Sequence, residues 1–519
     1  MLPVFTAEEM RRLDARAVRE LGIPGATLME NAGRGAAEAI LAALAGLGLP
    51  RRGTRVAIVC GKGGNGGDGF VAARWLQRAR LRPGVILLQP PHEITGDAAM
   101  KYREMRRAGI EAVEIAEEAA LEPALRTADL VVDAILGTGA RGAPAGLLAR
   151  AIERINASGK PVVALDIPSG LPADGGAPEG AAIRARLTTT FAALKRSLVM
   201  GPGVDLAGRV ELVPIGVAPA EVARGATTFL LERSDIARHV PARPREAHKG
   251  TFGHLLVVAG SVGKTGAAAL AARAALRAGA GLVTVATSAS AQPVVASLSA
   301  EIMTLPLAET GAGALSLKAW DALAEAGDER DAVALGPGLG LDDETQQLAL
   351  RLVREVRRPM AVDADALTAL AAHLDRLRAA PAPRCLTPHP GEMARLLGAT
   401  VGEVQRDRVA TARQFATAYH VHVVVKGATS VIGAPDGRVF LNPTGNPGLA
   451  TAGTGDVLTG VLGAFLARGV EPGDALQTAV WLHGSAGDIA AGRVGQESLI
   501  AGDVVAALPD AFRHLTREE

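Results

Sequence analysis

Two aspartates in this sequence stand next to glycine-rich turns, and the first could move a proton beside a bound anion. The first lies in Asn446-Pro447-Gly448-Leu449-Ala450-Thr451-Ala452-Gly453-Thr454-Gly455-Asp456, and an apolar helical pattern over 457–465 follows it. Free backbone N–H groups and the positive end of a helix dipole make such a turn an anion hole, here Gly453, Thr454 and Gly455. A carboxylate beside a bound phosphate is repelled unless it is employed as a base, which is the role read for Asp456. The second, Asp166, closes the apolar run 162–166 and precedes Ile167-Pro168-Ser169-Gly170. Asp133 sits in a similar run, 130–136, before Gly137-Thr138-Gly139, and the run 55–60 leads into the glycine loop 61–69.

These groups need elements that bring them together. The runs 55–60, 85–89, 130–136 and 162–166 read as buried strands, and 70–80 as a helix. In an open α/β sheet, ligands bind at the carboxyl ends of strands. A lone Asp at such an end is ordinarily a turn or cap residue, but three polar, glycine-rich ends together define a crevice. Gly61, Gly63 and Gly66 satisfy GxGxxG, yet the run 85–89 ends in Gln89-Pro90-Pro91, without the acid that a dinucleotide fingerprint wants.

In the second half, strands are expected at 255–259, 282–286, 332–335, 360–362, 385–387 and 421–425. Helices are expected at 267–278, 343–356, 366–371 and 391–397. The alternation predicts a mostly parallel sheet with helices on both faces. Polar groups again follow strands: Gly336-Pro337-Gly338, Asp363, Thr387-Pro388-His389 and Lys426. Gly263-Lys264-Thr265 is not the end of a Walker loop, because the first glycine would fall on Val258. His389 and Glu392 are not a helical metal pair, because Pro390-Gly391 separates them.

At 519 residues the chain exceeds one core. The expected division is 1–217, a linker at 218–227, and 228–519. Aromatics are 3% of the residues, so alanine, valine and leucine must fill closely packed α/β layers. A net charge of +1 with both signs dispersed argues against nucleic acid and membrane surfaces as partners. Cys60 and Cys385 lie far apart with no CxxC, and Glu8, Glu9 and Asp14 are unlike a secretory signal, so a cytoplasmic enzyme is expected. The charge-free stretch 278–300 is broken by Thr, Ser, Gln and Pro and reads as strand, loop and helix start.

The segments GIPGATLMENAG (22–33), GKGGNGGDG (61–69), DAILGTG (133–139) and DIPSG (166–170) resemble the NAD(P)HX epimerase family, also called the YjeF N-terminal domain. The resemblance implies a Rossmann-like α/β/α fold that takes hydrated NADH or NADPH as substrate. It implies a potassium ion held by Asn65, Asp133 and Ser169. Substrate contacts would come from Gly64, Asn65, Gly66, Gly67, Asp68, Gly137, Thr138, Gly139, Ala140, Arg141, Gly142, Ala143 and Asp166. The usual loop reads GNNGGDG, and Gly64 replaces its first Asn. Asp166 is the candidate acid–base group. Lys195 is either a second polar group of the site or a solvated lysine.

HKGTFG (248–253), GPGLG (336–340), DADAL (363–367), TPHPGEM (387–393), VVKGATSVI (424–432) and NPTGNPGLATAGTGDVLTG (442–460) resemble the ADP-dependent NAD(P)HX dehydratase family, a branch of the ribokinase-like α/β/α fold. Leu449 and Ala452 stand where the family usually has Met and Gly. The resemblance implies that AMP contacts Lys426, Gly427, Ala428, Thr429, Ser430 and Gly455, and that the hydrate contacts Ala267, Gly338, His389 and Asp456. It also implies ADP as phosphoryl donor, with Mg2+. A homo-oligomer is expected. The rival readings are an ATP-dependent vitamin-alcohol kinase, which shares the GTGD turn, and a non-catalytic dinucleotide sensor.

Overall fold

The computed structural model describes residues 1–517 and divides into two compact units, Leu2–Ala226 and a second that runs from Thr227 and includes Met1. The stretch 218–227, expected as a linker, carries a short helix, Pro219–Ala223, and Val222 packs into the core of the first unit.

In the first unit, seven strands form one parallel sheet in the order Ala112–Glu114, Arg82–Leu87, Arg55–Cys60, Leu130–Ala134, Val162–Leu165, Leu187–Phe191, Arg209–Val213. The period of two shows in the cores: Val56, Ile58 and Cys60 face one layer, Ala57 and Val59 the other. Strand order reverses between Arg55–Cys60 and Leu130–Ala134, which makes their carboxyl ends the topological switch point. The helix expected at 70–80 starts earlier, at Gly64–Arg78, so part of the glycine loop is its first turn. Glycine's poor helix propensity hides this, but close approach demands it. A Cβ on Gly66 would stand 1.9 Å from the Gly61 carbonyl oxygen.

In the second unit, strands run Met303–Leu307, Leu282–Ser288, His254–Val258, Ala332–Leu335, Met360–Val362, Arg384–Leu386, His422–Val425, all parallel. The antiparallel strands Ser430–Gly433 and Val439–Asn442 extend the sheet, and Thr228–Leu230 pairs parallel with the latter. Here order reverses between His254–Val258 and Ala332–Leu335. The helix Thr454–Ala467 is buried from Val457 to Ala467. Small residues allow this: a Cβ on Gly460 would stand 2.0 Å from the carbonyl oxygen of Ala271, in the alanine-rich helix Thr265–Arg277. A larger residue there would overpack the contact at about 1–3 kcal/mol. The helix is thereby clamped, and the turn at its head is fixed. Among the described residues no helix is long and apolar enough to cross a membrane.

Candidate functional sites

In the first unit, the three glycine-rich strand ends meet. Asn65, in the first turn of Gly64–Arg78, donates from Nδ2 to the Leu136 carbonyl at 3.0 Å. Its Oδ1 is buried without a hydrogen-bond partner. Asp133, fully buried, accepts from Ser169 Oγ at 2.6 Å, Ser169 N at 2.8 Å and Ile135 N at 3.1 Å. Burial pushes its carboxyl up to about 6 against those three bonds. The Leu136 N–H donates to Ser169 Oγ, completing a cradle of hard oxygens around Asn65, Asp133, Leu136 and Ser169.

Asp166 lies beside this cradle with φ +65, a conformation that a non-glycine residue holds only where its surroundings fix it. Lys195, which sequence alone leaves open to solvation, is fully buried and pairs with Asp166 Oδ1 at 2.7 Å. Its Nζ also donates to Thr190 Oγ1 and the Phe191 carbonyl, each at 2.9 Å. Thr138 donates to Asp166 Oδ2 through N at 2.9 Å and Oγ1 at 3.0 Å. Burial raises the Asp166 pKa, but Lys195 and Thr138 together outweigh it and hold the carboxyl below its usual value. Asp68 shifts the other way: burial, with the charges of Asp166 and Asp14, holds it well above the usual range.

A cavity of about 240 Å³ opens beside this pair, lined by Gly137, Thr138, Ala140, Arg141, Gly142 and Ala143 with Arg11, Ile167 and Leu171. Of the other expected contacts, Gly66 and Gly67 are buried and space the packing: a Cβ on Gly67 would meet Met29 Sδ at 2.5 Å. Gly64 and Gly139 border open space, with no atom within 4 Å of where a Cβ would stand. Arg11 and Asp14 escaped the sequence reading because they resemble solvated charges on the helix Ala7–Arg19.

In the second unit, Gly453 takes φ +89 as N-cap of Thr454–Ala467, placing Gly455 and Asp456 in the first turn. The Thr454 hydroxyl donates inward to the Leu449 and Thr451 carbonyls, so only its backbone can face an anion. Gly455 lies against two side chains: its Cβ position is 3.4 Å from Lys426 Nζ and 3.5 Å from Asp363 Oδ2. Lys426 pairs with Asp363 Oδ1 at 3.2 Å and stands 3.9 Å from Glu392 Oε2. Burial works against the charge of Lys426, and Asp363, Glu392 and Asp456 together keep its pKa raised. Asp363 also accepts from Thr459 Oγ1 at 2.7 Å. Asp456 makes no side-chain hydrogen bond among the described residues. Burial, then Asp363 and Asp365 against the opposing Lys426, push its carboxyl up to about 7.

Ala267 and Gly338 are neighbours, with the Gly338 Cβ position 3.1 Å from Ala267 Cβ. Asp365 ties this corner by accepting from Gly340 N at 2.8 Å and Lys264 Nζ at 3.2 Å. His389 caps the helix Pro390–Leu397, its Nδ1 accepting from Gly391 N at 3.0 Å and Glu392 N at 3.3 Å. That leaves Nε2 to carry the proton of the neutral ring. Sequence reasoning noted Asp363 at a strand end without giving it a role, and did not single out Thr459 or His483. His483, from the long helix Pro472–Val494, reaches the Thr454 carbonyl at 2.9 Å.

Residues 255–509 match the family model for NAD(P)H-hydrate dehydratase, and 25–197 match that for the YjeF-related protein N-terminus. The bifunctional NAD(P)H-hydrate repair enzyme of Moorella thermoacetica is 46% identical over 519 residues, covering 99% of this chain and 97% of the relative. Its counterpart from Escherichia coli is 34% identical, covering 97% and 93%. A solved ADP/ATP-dependent NAD(P)H-hydrate dehydratase from Bacillus subtilis is 32% identical, covers 55% of this chain and 98% of its own, and has a TM-score of 0.49. With relatives this similar along nearly its whole length, the chain belongs to the family of bifunctional NAD(P)H-hydrate repair enzymes.

Proposed function

We infer that this chain repairs hydrated NADH and NADPH at two separate sites. The first unit interconverts the R and S hydrates, and the second dehydrates the S form with ADP, releasing AMP and phosphate. The observation that carries the reading is Asp456: a carboxyl poised near neutrality at the head of a glycine turn, beside Lys426.

Hydroxide is a poor leaving group, so the hydrate's hydroxyl must be converted into a better one. Asp456 takes the hydroxyl proton as the oxygen attacks the β-phosphorus of ADP; the bond to AMP breaks, and the phosphorylated hydrate forms. The Gly453–Gly455 amides and Lys426 offset charge on the phosphoryl oxygens. The ring nitrogen then expels phosphate, leaving an iminium, and loss of a proton from the adjacent ring carbon restores reduced nicotinamide. In the first unit, the carbon bearing the hydroxyl also bears the ring nitrogen, so its C–O bond can break and reform on either face. Asp68, whose carboxyl is raised well above its usual value, would give the departing oxygen its proton, and Asp166, held ionised, would take one from the returning water and hand it back to Asp68.

The donor set of the first unit fits potassium: Asn65 Oδ1 lacks any partner, and Asp133 is buried with no cation paired to it among the described residues. Asn65, Asp133 and Ser169 would hold the ion, which would supply a fixed positive charge beside the substrate. For Mg2+, no group of three or more His, Cys, Asp or Glu is arranged to hold a metal among the described residues, so the ion would come with the nucleotide. A cytoplasmic location suits two free, buried thiols, Cys60 and Cys385.

Incubation with NADHX and either ADP or ATP tests the reading. The absorbance band of reduced nicotinamide should return with ADP. A vitamin-alcohol kinase or a dinucleotide sensor would not restore it.

A further inference from the structure

The long helix Pro472–Val494 turns one face, through His483, Gly484, Gly487 and Asp488, to the stretch that leads into the anion turn. A Cβ on Gly484 would collide with Thr444 Oγ1, and one on Gly487 would stand 2.7 Å from Leu449 Cδ2. Asp488 accepts from Gly445 N and from Asn446 Nδ2, each at 2.9 Å. His483 completes the face, with its Nε2 2.9 Å from the Thr454 carbonyl oxygen. A carbonyl only accepts, so Nε2 carries the proton and donates. Burial, opposed in part by this bond, pushes the ring's pKa down to about 4, so the imidazole is neutral. The charges of Lys426 and Asp363 both act on the ring, which puts it beside that pair.

Glycines flank Thr454 on both sides, and a peptide between such neighbours is free to rock unless something holds it. Two tethers do. The Thr454 hydroxyl ties its own residue back to the Leu449 and Thr451 carbonyls, and His483 ties the peptide that follows. In a trans peptide the C=O and the following N–H point in opposite directions. With its carbonyl on His483, the Thr454–Gly455 peptide therefore aims the Gly455 N–H away from that ring. This N–H donates to nothing among the described residues, and Gly453 caps the helix without a side-chain bond. Lys426 Nζ lies 3.4 Å from the Cβ position of the same glycine, so amide and ammonium can meet one anion.

We propose that His483 is a positioning residue for phosphoryl transfer: by holding the Thr454 carbonyl it aims the Gly455 amide at the β-phosphate of the nucleotide. The proposal rests on the ADP-dependent reading of the second unit.

H483F keeps a ring without an N–H, and H483Q keeps a donor at a similar reach. AMP lacks the β-phosphate, so the ratio of AMP Kd to ADP Kd, measured by calorimetry on the full chain, reads the turn apart from the rest of the nucleotide site. In H483F this ratio should fall about threefold or more, and kcat for dehydration about tenfold or more. H483Q should lie closer to wild type in both. A smaller effect on either quantity in H483F, or an equal one in H483Q, overturns the proposal, because a residue that only fills space would not set the two variants apart. Melting temperature controls for folding. If H483F does not fold, H483L decides by the same criterion; if neither folds, the residue is structural and the proposal is overturned. If the wild type binds ADP but does not dehydrate with it, the functional reading has failed, and the ratio still judges His483. A wild type that binds neither nucleotide overturns both.

Discussion

Asp166 and Asp456 are both acids at glycine-rich ends, and their surroundings drive their protons in opposite directions. Asp166 has a buried lysine at 2.7 Å and two donors from Thr138, so it is ionised despite its burial. At Asp456 burial, joined by the charges of Asp363 and Asp365, raises the pKa to about 7, and Lys426, already committed to Asp363 at 3.2 Å, only partly opposes it. Burial raises both carboxyls; the sign and engagement of the neighbours decide the outcome. The difference suits the proposed chemistry. A base that must take a proton from an alcohol works best near its own pKa, whereas a reversible C–O step beside a held charge needs a steady ion pair.

The sharpest way to break this contrast is to remove one acid at a time. Asp456→Asn should lower ADP-dependent dehydration by roughly two to four orders of magnitude, followed at the reduced-nicotinamide band, while epimerisation stays unchanged. Loss of both activities would mean that the two sites are not independent. Asp166→Asn should slow interconversion of the hydrates by about 100-fold or more, read by chromatographic separation of the R and S forms, and a full rate would end its assignment. Lys195→Met would leave Asp166 buried without its cation. It should lower the unfolding free energy of the first unit by about 3–5 kcal/mol in denaturant titration, and a shift under about 1 kcal/mol would show the pair to be dispensable.

Smaller effects sharpen the comparison through pH. If Asp456 must be ionised to act, dehydration should be half-maximal near pH 7 and fall about tenfold per unit below it, while Asp166 imposes no such limb near neutrality. Asp363→Asn removes a like charge and should move that limb to lower pH; an unmoved limb would separate Asp363 from the base. The stability sign follows from the same shift. Between the ordinary 3.8 and about 7 the folded state binds more protons at Asp456 than the unfolded chain does, so this group's contribution declines as pH rises across that window.

Much of the fold was legible in residue pattern. The strands Ala332–Leu335 and Met360–Val362 fall where the apolar runs stand, because buried parallel strands are continuous hydrophobic segments. The strand Met303–Leu307, at the sheet edge, was missed because its residues are mostly part-exposed and include Pro306. The hairpin strands Ser430–Gly433 and Val439–Asn442 were missed because a short apolar run does not announce its partner. The 23-residue helix Pro472–Val494 was missed because most of its faces are buried, which flattens the amphipathic period. In the sites, aspartates beside glycines could be named from sequence. The pairings that set their protonation could not: Lys195 was a candidate left between site and solvent, and Asp363, noted at a strand end, is 93 positions from Asp456.

The sequence by itself determined which residues are candidates for the chemistry, because turns that hold anions need glycine and proton transfer needs acids, and both needs are local. Only the tertiary structure decided how those residues behave. Whether Lys195 meets solvent or Asp166 and whether Lys426 is free or held by Asp363 depend on distances across the sheet. Electrostatic energy falls with distance in space and takes no account of separation along the chain.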